Sequence, residues 1–154
     1  MTKQLLIVYH SRSGSTAQLV EAAIEGARDP AIEGVDVVVR SPFEAESAEV
    51  CKSGALLLAT PENFGYMSGA MKHFFDSVYY DCLEHTPGLA YALLIKAGND
   101  GQGALGAMRR IITGLRWREV AEPVIAVGEL TPAHLAAGRE LGMTLAAGLE
   151  AGLF

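Results

Sequence analysis

Leu5-Leu6-Ile7-Val8-Tyr9-His10-Ser11-Arg12-Ser13-Gly14-Ser15-Thr16 passes from an unbroken apolar run into a loop of hydroxyls around one glycine. The apolar run is what a strand covered on both faces requires. Beyond the loop, Thr16, Leu19, Val20, Ala23, Ile24 and Ala27 recur at helical spacing, predicting a helix packed on a sheet. Asp29-Pro30 stops that helix. A buried strand, a short polar loop and an amphipathic helix together form the first unit of a parallel α/β protein.

The same alternation continues to the end of the chain. Val35, Val37 and Val39 predict a second strand, which Asp36 makes better suited to an edge than to a centre. A short helix is expected through 44–50, then a third strand at Ala55-Leu56-Leu57-Leu58-Ala59. Met71, Phe74, Phe75, Val78 and Cys82 mark one face of a helix beginning near Ser68. Residues 90–95 read as the fourth strand, followed by a helix with the stripe Leu105, Met108, Ile111, Ile112 and Leu115. Residues 124–127 read as the fifth strand. Thr131-Pro132 then reads as an N-cap with proline in the first helical position. Five βα units without a linker predict one domain over residues 1–154. Two sheets fit that pattern, a five-stranded order 2-1-3-4-5 or a truncated dinucleotide-binding sheet, and both place ligands beyond the carboxyl ends of the strands.

Composition narrows the function. The 154 residues carry 12 Lys+Arg against 18 Asp+Glu, a net charge of −6, and no run of like charges exceeds two. A nucleic-acid footprint or a polybasic membrane patch is therefore not expected. Mean hydropathy is positive at +0.23. Yet the apolar run Leu89 to Ile95 is far shorter than the ~18 residues of a spanning helix. Met1-Thr2-Lys3-Gln4 leads straight into the first strand with no cleavage site, so a cytoplasmic protein is expected. Cys51 and Cys82 lack metal-ligand spacing, no metal site is expected, and both read as small buried hydrophobes rather than redox thiols.

Three loops could carry chemistry. In the first, Ser11, Arg12, Ser13, Gly14, Ser15 and Thr16 open a helix, where free amides and the helix dipole suit a phosphate dianion. The plainer reading is a capping box, Ser15-Thr16-Ala17-Gln18, although four hydroxyls exceed what a cap needs. No Gly-Lys-Ser/Thr follows, which disfavours nucleotide triphosphate hydrolysis. His10 could donate to the phosphate or simply pack. In the second loop, Thr60, Pro61, Glu62, Asn63, Phe64 and Gly65 follow the third strand, with Pro61 expected to stiffen a turn. Phe64 or Tyr66 offers an aromatic face, unless these rings fold back onto the core. The third loop, with Gly98, Asn99, Asp100, Gly101 and Gly103, contains no aromatic residue.

Residues 7–16 resemble the phosphate loop of the flavodoxin-like superfamily. Thr60-Pro61-Glu62-Asn63-Phe64-Gly65-Tyr66-Met67-Ser68-Gly69, with Lys72 and Asp76 beyond, is similar to the stretch after strand 3 in FMN-dependent NAD(P)H:quinone oxidoreductases and NADPH-dependent FMN reductases. The resemblance implies a flavodoxin-like three-layer α/β/α sandwich, a five-stranded parallel sheet in the order 2-1-3-4-5, and FMN bound noncovalently by the three loops. It also implies electrons passing from NAD(P)H to a quinone or similar small-molecule acceptor, with the chemistry carried by the flavin and no catalytic side chain required. Glu62 near the ring would disfavour an anionic reduced flavin. Two alternatives remain at this point: an electron carrier docking on a redox-partner protein, and a flavin-free binding module.

Gly101-Gln102-Gly103-Ala104-Leu105-Gly106 also matches the dinucleotide fingerprint, with Glu129 further on, but 17 glycines make chance matches easy. Trp117 reads as packing where the fourth helix leaves the sheet, or as an exposed interface aromatic. Gly138, Gly142, Gly148 and Gly152 suit close packing on the sheet or against another protomer. The apolar end, Leu149 to Phe154, leans towards a homo-oligomer.

Overall fold

A strand with an unbroken apolar run belongs in the middle of a sheet, and β1 (Lys3–Tyr9) lies there, with Leu5 to Val8 wholly buried. The computed structural model describes residues 2–154. β1 pairs in parallel with β2 (Val35–Arg40) on one side and β3 (Ala55–Asn63) on the other. β3 pairs in parallel with β5 (Ala90–Ala97). β2 forms an edge, as Asp36 required.

The fifth position of the sheet is divided. β6 (Arg118–Glu119) pairs with the start of β5 and β7 (Val124–Val127) with its end, both in parallel. With β4 (Tyr66–Met67), an antiparallel partner of β3, the sheet has seven strands where five were expected. The order of the parallel positions is nevertheless 2-1-3-4-5, and the fold is flavodoxin-like. β6 escapes a reading by hydropathy because its two residues are charged and exposed.

Helices cover both faces. α1 (Ser15–Ala27) and α5 (Pro132–Glu150) pack on one; α2 (Ser47–Lys52), α3 (Gly69–Leu83) and α4 (Gln102–Leu115) pack on the other. α2 starts three residues later than expected because Glu46, not Glu44, closes a capping box with Glu49. α1 and α5 approach so closely that a Cβ on Gly142 would enter the Ala23 carbonyl, and one on Gly26 the Arg139 carbonyl. Gly138 and Gly142 of α5 thus serve contact with α1, whereas Gly148 faces the Phe154 ring. Trp117 is buried against Phe75 and Tyr91 and donates to the Thr86 hydroxyl at 2.8 Å. Cys82 is buried, but Cys51 is exposed, contrary to its reading as a core residue. No helix among the described residues is long and apolar enough to cross a membrane.

Candidate functional site

β1, β3 and β5 are neighbours, so the three loops that follow them share the carboxyl edge of the sheet. A bond from the His10 amide to the Ala59 carbonyl, 3.3 Å, ties the base of the first loop to β3.

In the first loop, the N-cap of α1 is Gly14, at φ 95°, which has no side chain to cap with. Ser11 does that work: its Oγ accepts from the amides of Gly14 and Ala17 at 3.1 and 3.2 Å. The Ser15–Gln18 capping box does not form. Among the described residues, no protein acceptor is bonded to the amides of Arg12, Ser13, Ser15 and Thr16. The hydroxyls of Ser13 and Ser15 are likewise unengaged, and no carboxylate lies within residues 10–17. His10 Nδ1 is buried here without a partner, an orphan that ordinarily marks a missing acceptor or donor. Beside this loop, on the β2 side, runs an open groove of about 640 Å³ that includes His10, Arg12, Arg40 and Glu44. Arg40 is held by Glu49 at 3.0 Å. Donors without acceptors at a helix N-terminus fit a phosphate monoester.

The second loop is not the proline-stiffened turn that was expected. β3 continues through Pro61 to Asn63 and folds back into β4, with Glu62 opposite Met67 and Asn63 opposite Tyr66. β1 has already left β3 at Ala59, so the missing amide of Pro61 breaks no ladder on that side. The connecting residues, Phe64 at φ 53° and Gly65 at φ 70°, give the doubly left-handed two-residue turn of a tight hairpin. Phe64 is fully exposed at its tip and does not fold back onto the core; Tyr66 is partly exposed beside it. Thr60 lies beneath, wholly buried, its Oγ1 accepting from the Ser68 amide at 3.0 Å and donating to the Pro61 carbonyl at 2.9 Å. It shapes the hairpin and presents no surface of its own. Ser68 then caps α3 by accepting from the Met71 amide, a contact worth ~1 kcal/mol.

The hairpin leans on the third loop. Glu62 Oε2 accepts from the Ala104 amide, in the first turn of α4, at 3.0 Å, so this carboxylate complements the helix N-terminus. A Cβ on Gly103 would enter the Gly65 carbonyl, and one on Gly101 would strike Ile125. The Gly101/Gly103/Gly106 pattern is thereby accounted for by packing at two positions, while Gly106 faces open space. Asp100 accepts from the Gln102 amide at 3.0 Å, and Gly98 and Asn99 are exposed at the loop crest. No group of three or more His, Cys, Asp or Glu with metal-binding proximity occurs among the described residues.

A flavodoxin-fold sheet, a loop of unpaired amides after its first strand and an aromatic-tipped hairpin after its third define a protein of the flavodoxin-like superfamily. The chain belongs to the NADPH-dependent FMN reductase family, whose model matches residues 18–131. FMN is the flavin that goes with that membership. A flavodoxin from Aquifex aeolicus (strain VF5) is 32% identical over 112 residues, which are 73% of this chain and 60% of that protein. An NAD(P)H dehydrogenase (quinone) from Syntrophus aciditrophicus (strain SB) is 33% identical over 98 residues, 48% of this chain and 47% of that one. The chain thus spans about half to three-fifths of the length of these relatives. Among solved structures, a flavodoxin from the domain Archaea superposes with a TM-score of 0.82 at 20% identity, covering 96% of this chain and 99% of that one. A WrbA-like flavodoxin from Agrobacterium tumefaciens gives 0.77 at 18%, covering 98% and 99%.

Proposed function

We propose that the chain is an FMN-dependent NAD(P)H oxidoreductase acting on a quinone or similar small acceptor. The observation that carries this reading is the asymmetry of the site. The hairpin presents Phe64 with its ring free in solvent, whereas residues 98–101 bring no aromatic side chain to the opposite loop. A ring-shaped cofactor held there would keep one face open to a second reactant.

FMN, when bound, supplies hydride and single-electron chemistry that no side chain provides. The protein's own contribution is binding and orientation. The amides of Arg12, Ser13, Ser15 and Thr16, with the hydroxyls of Ser13 and Ser15, would hold the phosphate, and Gly14 leaves room for it. Phe64 and Tyr66 would bound the ring system and exclude water from it, while Pro61 and Asn63 would offer polar backbone and amide groups to its edge. Gly98, Asn99, Asp100, Gly101 and Gly103 would border the other side. Glu62 acts from beneath as a positioning residue, through its bond to α4.

A second reading, an electron carrier serving a redox-partner protein, draws support from the relative described as a flavodoxin and from the exposed aromatic rim. One experiment tests both. The protein is loaded with FMN, desalted and mixed with NADH or NADPH and a soluble quinone. Catalytic turnover by the protein alone supports the enzyme; retained flavin colour with no turnover until a reductase is added supports the carrier. A colourless protein after desalting sinks both.

A further inference from the structure

Cys51 and Cys82 are 31 residues apart in the chain, yet their sulfurs lie 3.8 Å from one another. Cys51 sits in the last turn of α2 and is exposed; Cys82 sits in the last turn of α3 and is buried. The two helices are held in register by the Ser47 hydroxyl, which donates to Asp81 Oδ2 at 2.9 Å, and the Cys82 thiol faces the Ser47 carbonyl at 3.9 Å. Both helix ends precede strands, α2 before β3 and α3 before β5, so the pair lies at the amino edge of the sheet, opposite the three loops.

We propose that Cys51 and Cys82 form a two-electron oxidation site for peroxides, closing into a disulfide that staples α2 to α3. The exposed Cys51 sulfur attacks one peroxide oxygen; the O–O bond breaks and the other oxygen leaves with a proton, as water from hydrogen peroxide. Cys51 becomes a sulfenic acid. The Cys82 sulfur then attacks the Cys51 sulfur, and the hydroxide expelled takes the Cys82 proton as a second water. Two thiols lose two protons and two electrons, and one hydrogen peroxide becomes two waters.

The arrangement assigns the two roles. Solvent reaches Cys51, whereas burial pushes the Cys82 thiol up to about 12, with the adjoining Cys51 thiol adding to the effect. Cys82 therefore stays protonated and unreactive towards outside oxidants until a sulfenic acid forms beside it. Bond formation needs the sulfurs to close from 3.8 Å to ~2.05 Å, a movement within reach of side-chain rotation in the terminal turn of a six-residue helix.

The test titrates the full chain with hydrogen peroxide, blocks remaining thiols and maps peptides without reduction. The expected result is a fall from two free thiols to none, a Cys51–Cys82 crosslinked peptide, an intact mass lower by two hydrogens, and reversal by dithiothreitol. Closing this loop should also raise Tm by roughly 5 °C or more. In Cys51→Ser, Cys82 should remain a thiol at peroxide levels that oxidise the wild type. In Cys82→Ser, Cys51 should accumulate as a sulfenic acid trapped by dimedone. Oxygen added to Cys51 with Cys82 still free in the wild type, disulfide-linked dimers, or two unchanged thiols would each overturn the proposal. None of these readouts depends on the flavin.

Discussion

The Glu62 carboxylate and the Ala104 amide, 42 residues apart in sequence, meet at 3.0 Å and join the hairpin after β3 to the first turn of α4. Two of the three candidate loops are thereby joined by a direct hydrogen bond. Glu62→Ala is expected to cost about 1 kcal/mol of stability, the worth of a helix cap, and to weaken FMN binding through the loosened hairpin. Glu62→Gln, which still accepts a hydrogen bond, should recover most of both. Thermal denaturation and flavin-fluorescence titration check this; an alanine variant with unchanged Tm and affinity would refute it.

Gly103 and Gly106 separate packing from motif. A Cβ at position 103 runs into the Gly65 backbone, which cannot yield as a side chain would. Gly103→Ala should therefore destabilise by roughly 1–3 kcal/mol. Gly106→Ala meets nothing within 4 Å and should be neutral or stabilise α4 by up to about 1 kcal/mol. Equal effects in denaturant unfolding would show that the hairpin does not rest on α4.

Phe64 holds a left-handed backbone that phenylalanine disfavours and asparagine tolerates. Phe64→Asn is predicted to gain roughly 0.5–1 kcal/mol in stability while lowering turnover or flavin affinity. A variant that loses stability, or gains it with flavin behaviour unaltered, would contradict a cofactor-facing role for the ring.

Ser13→Ala/Ser15→Ala removes two hydroxyls that no protein group uses, so folding should be nearly unaffected. FMN affinity should fall at least several-fold, given ~1 kcal/mol per hydrogen bond. Unchanged affinity would reduce the loop to a helix start held by Ser11.

Tyr91 donates to Glu119 Oε1 at 3.2 Å, and burial, reinforced by that carboxylate, pushes its phenol from an ordinary 10 up to about 12. The folded state thus favours the neutral phenol. Its contribution, on the order of 2 kcal/mol, is fully present below pH 10 and is lost as pH rises from 10 towards 12. Absorbance titration of tyrosinate should show a component near pH 12 that Tyr91→Phe abolishes.

Hydropathy period sufficed to place the main parallel strands and the four long helices, since each buries an apolar stripe, but it left two sheet orders open, and 2-1-3-4-5 followed only from the family resemblance. It could not reveal β4 or β6, each only two residues long: Tyr66-Met67 buries Met67 alone, Arg118-Glu119 is exposed, and Phe64-Gly65 lacks the Asn-Gly signal of a tight hairpin. Pro61 misdirected the reading because its tolerance depends on where β1 ends. The amide-rich first loop was legible from its hydroxyls and its position, but Ser11 as the capping residue was not. Glu62 with Ala104, and Cys51 with Cys82, depend on contacts across loops and helices that no local pattern encodes.

The division of the fifth strand has a consequence for solubility. Between Glu119 and Val124 the border of the sheet is interrupted, and β6 and β7 together offer only two short, offset segments rather than one long row of free amides and carbonyls. At the opposite border, β2 carries Asp36 and ends in Arg40. Each margin thus carries a feature that disfavours templating a neighbouring molecule's strand, a break at one and a mid-strand charge at the other.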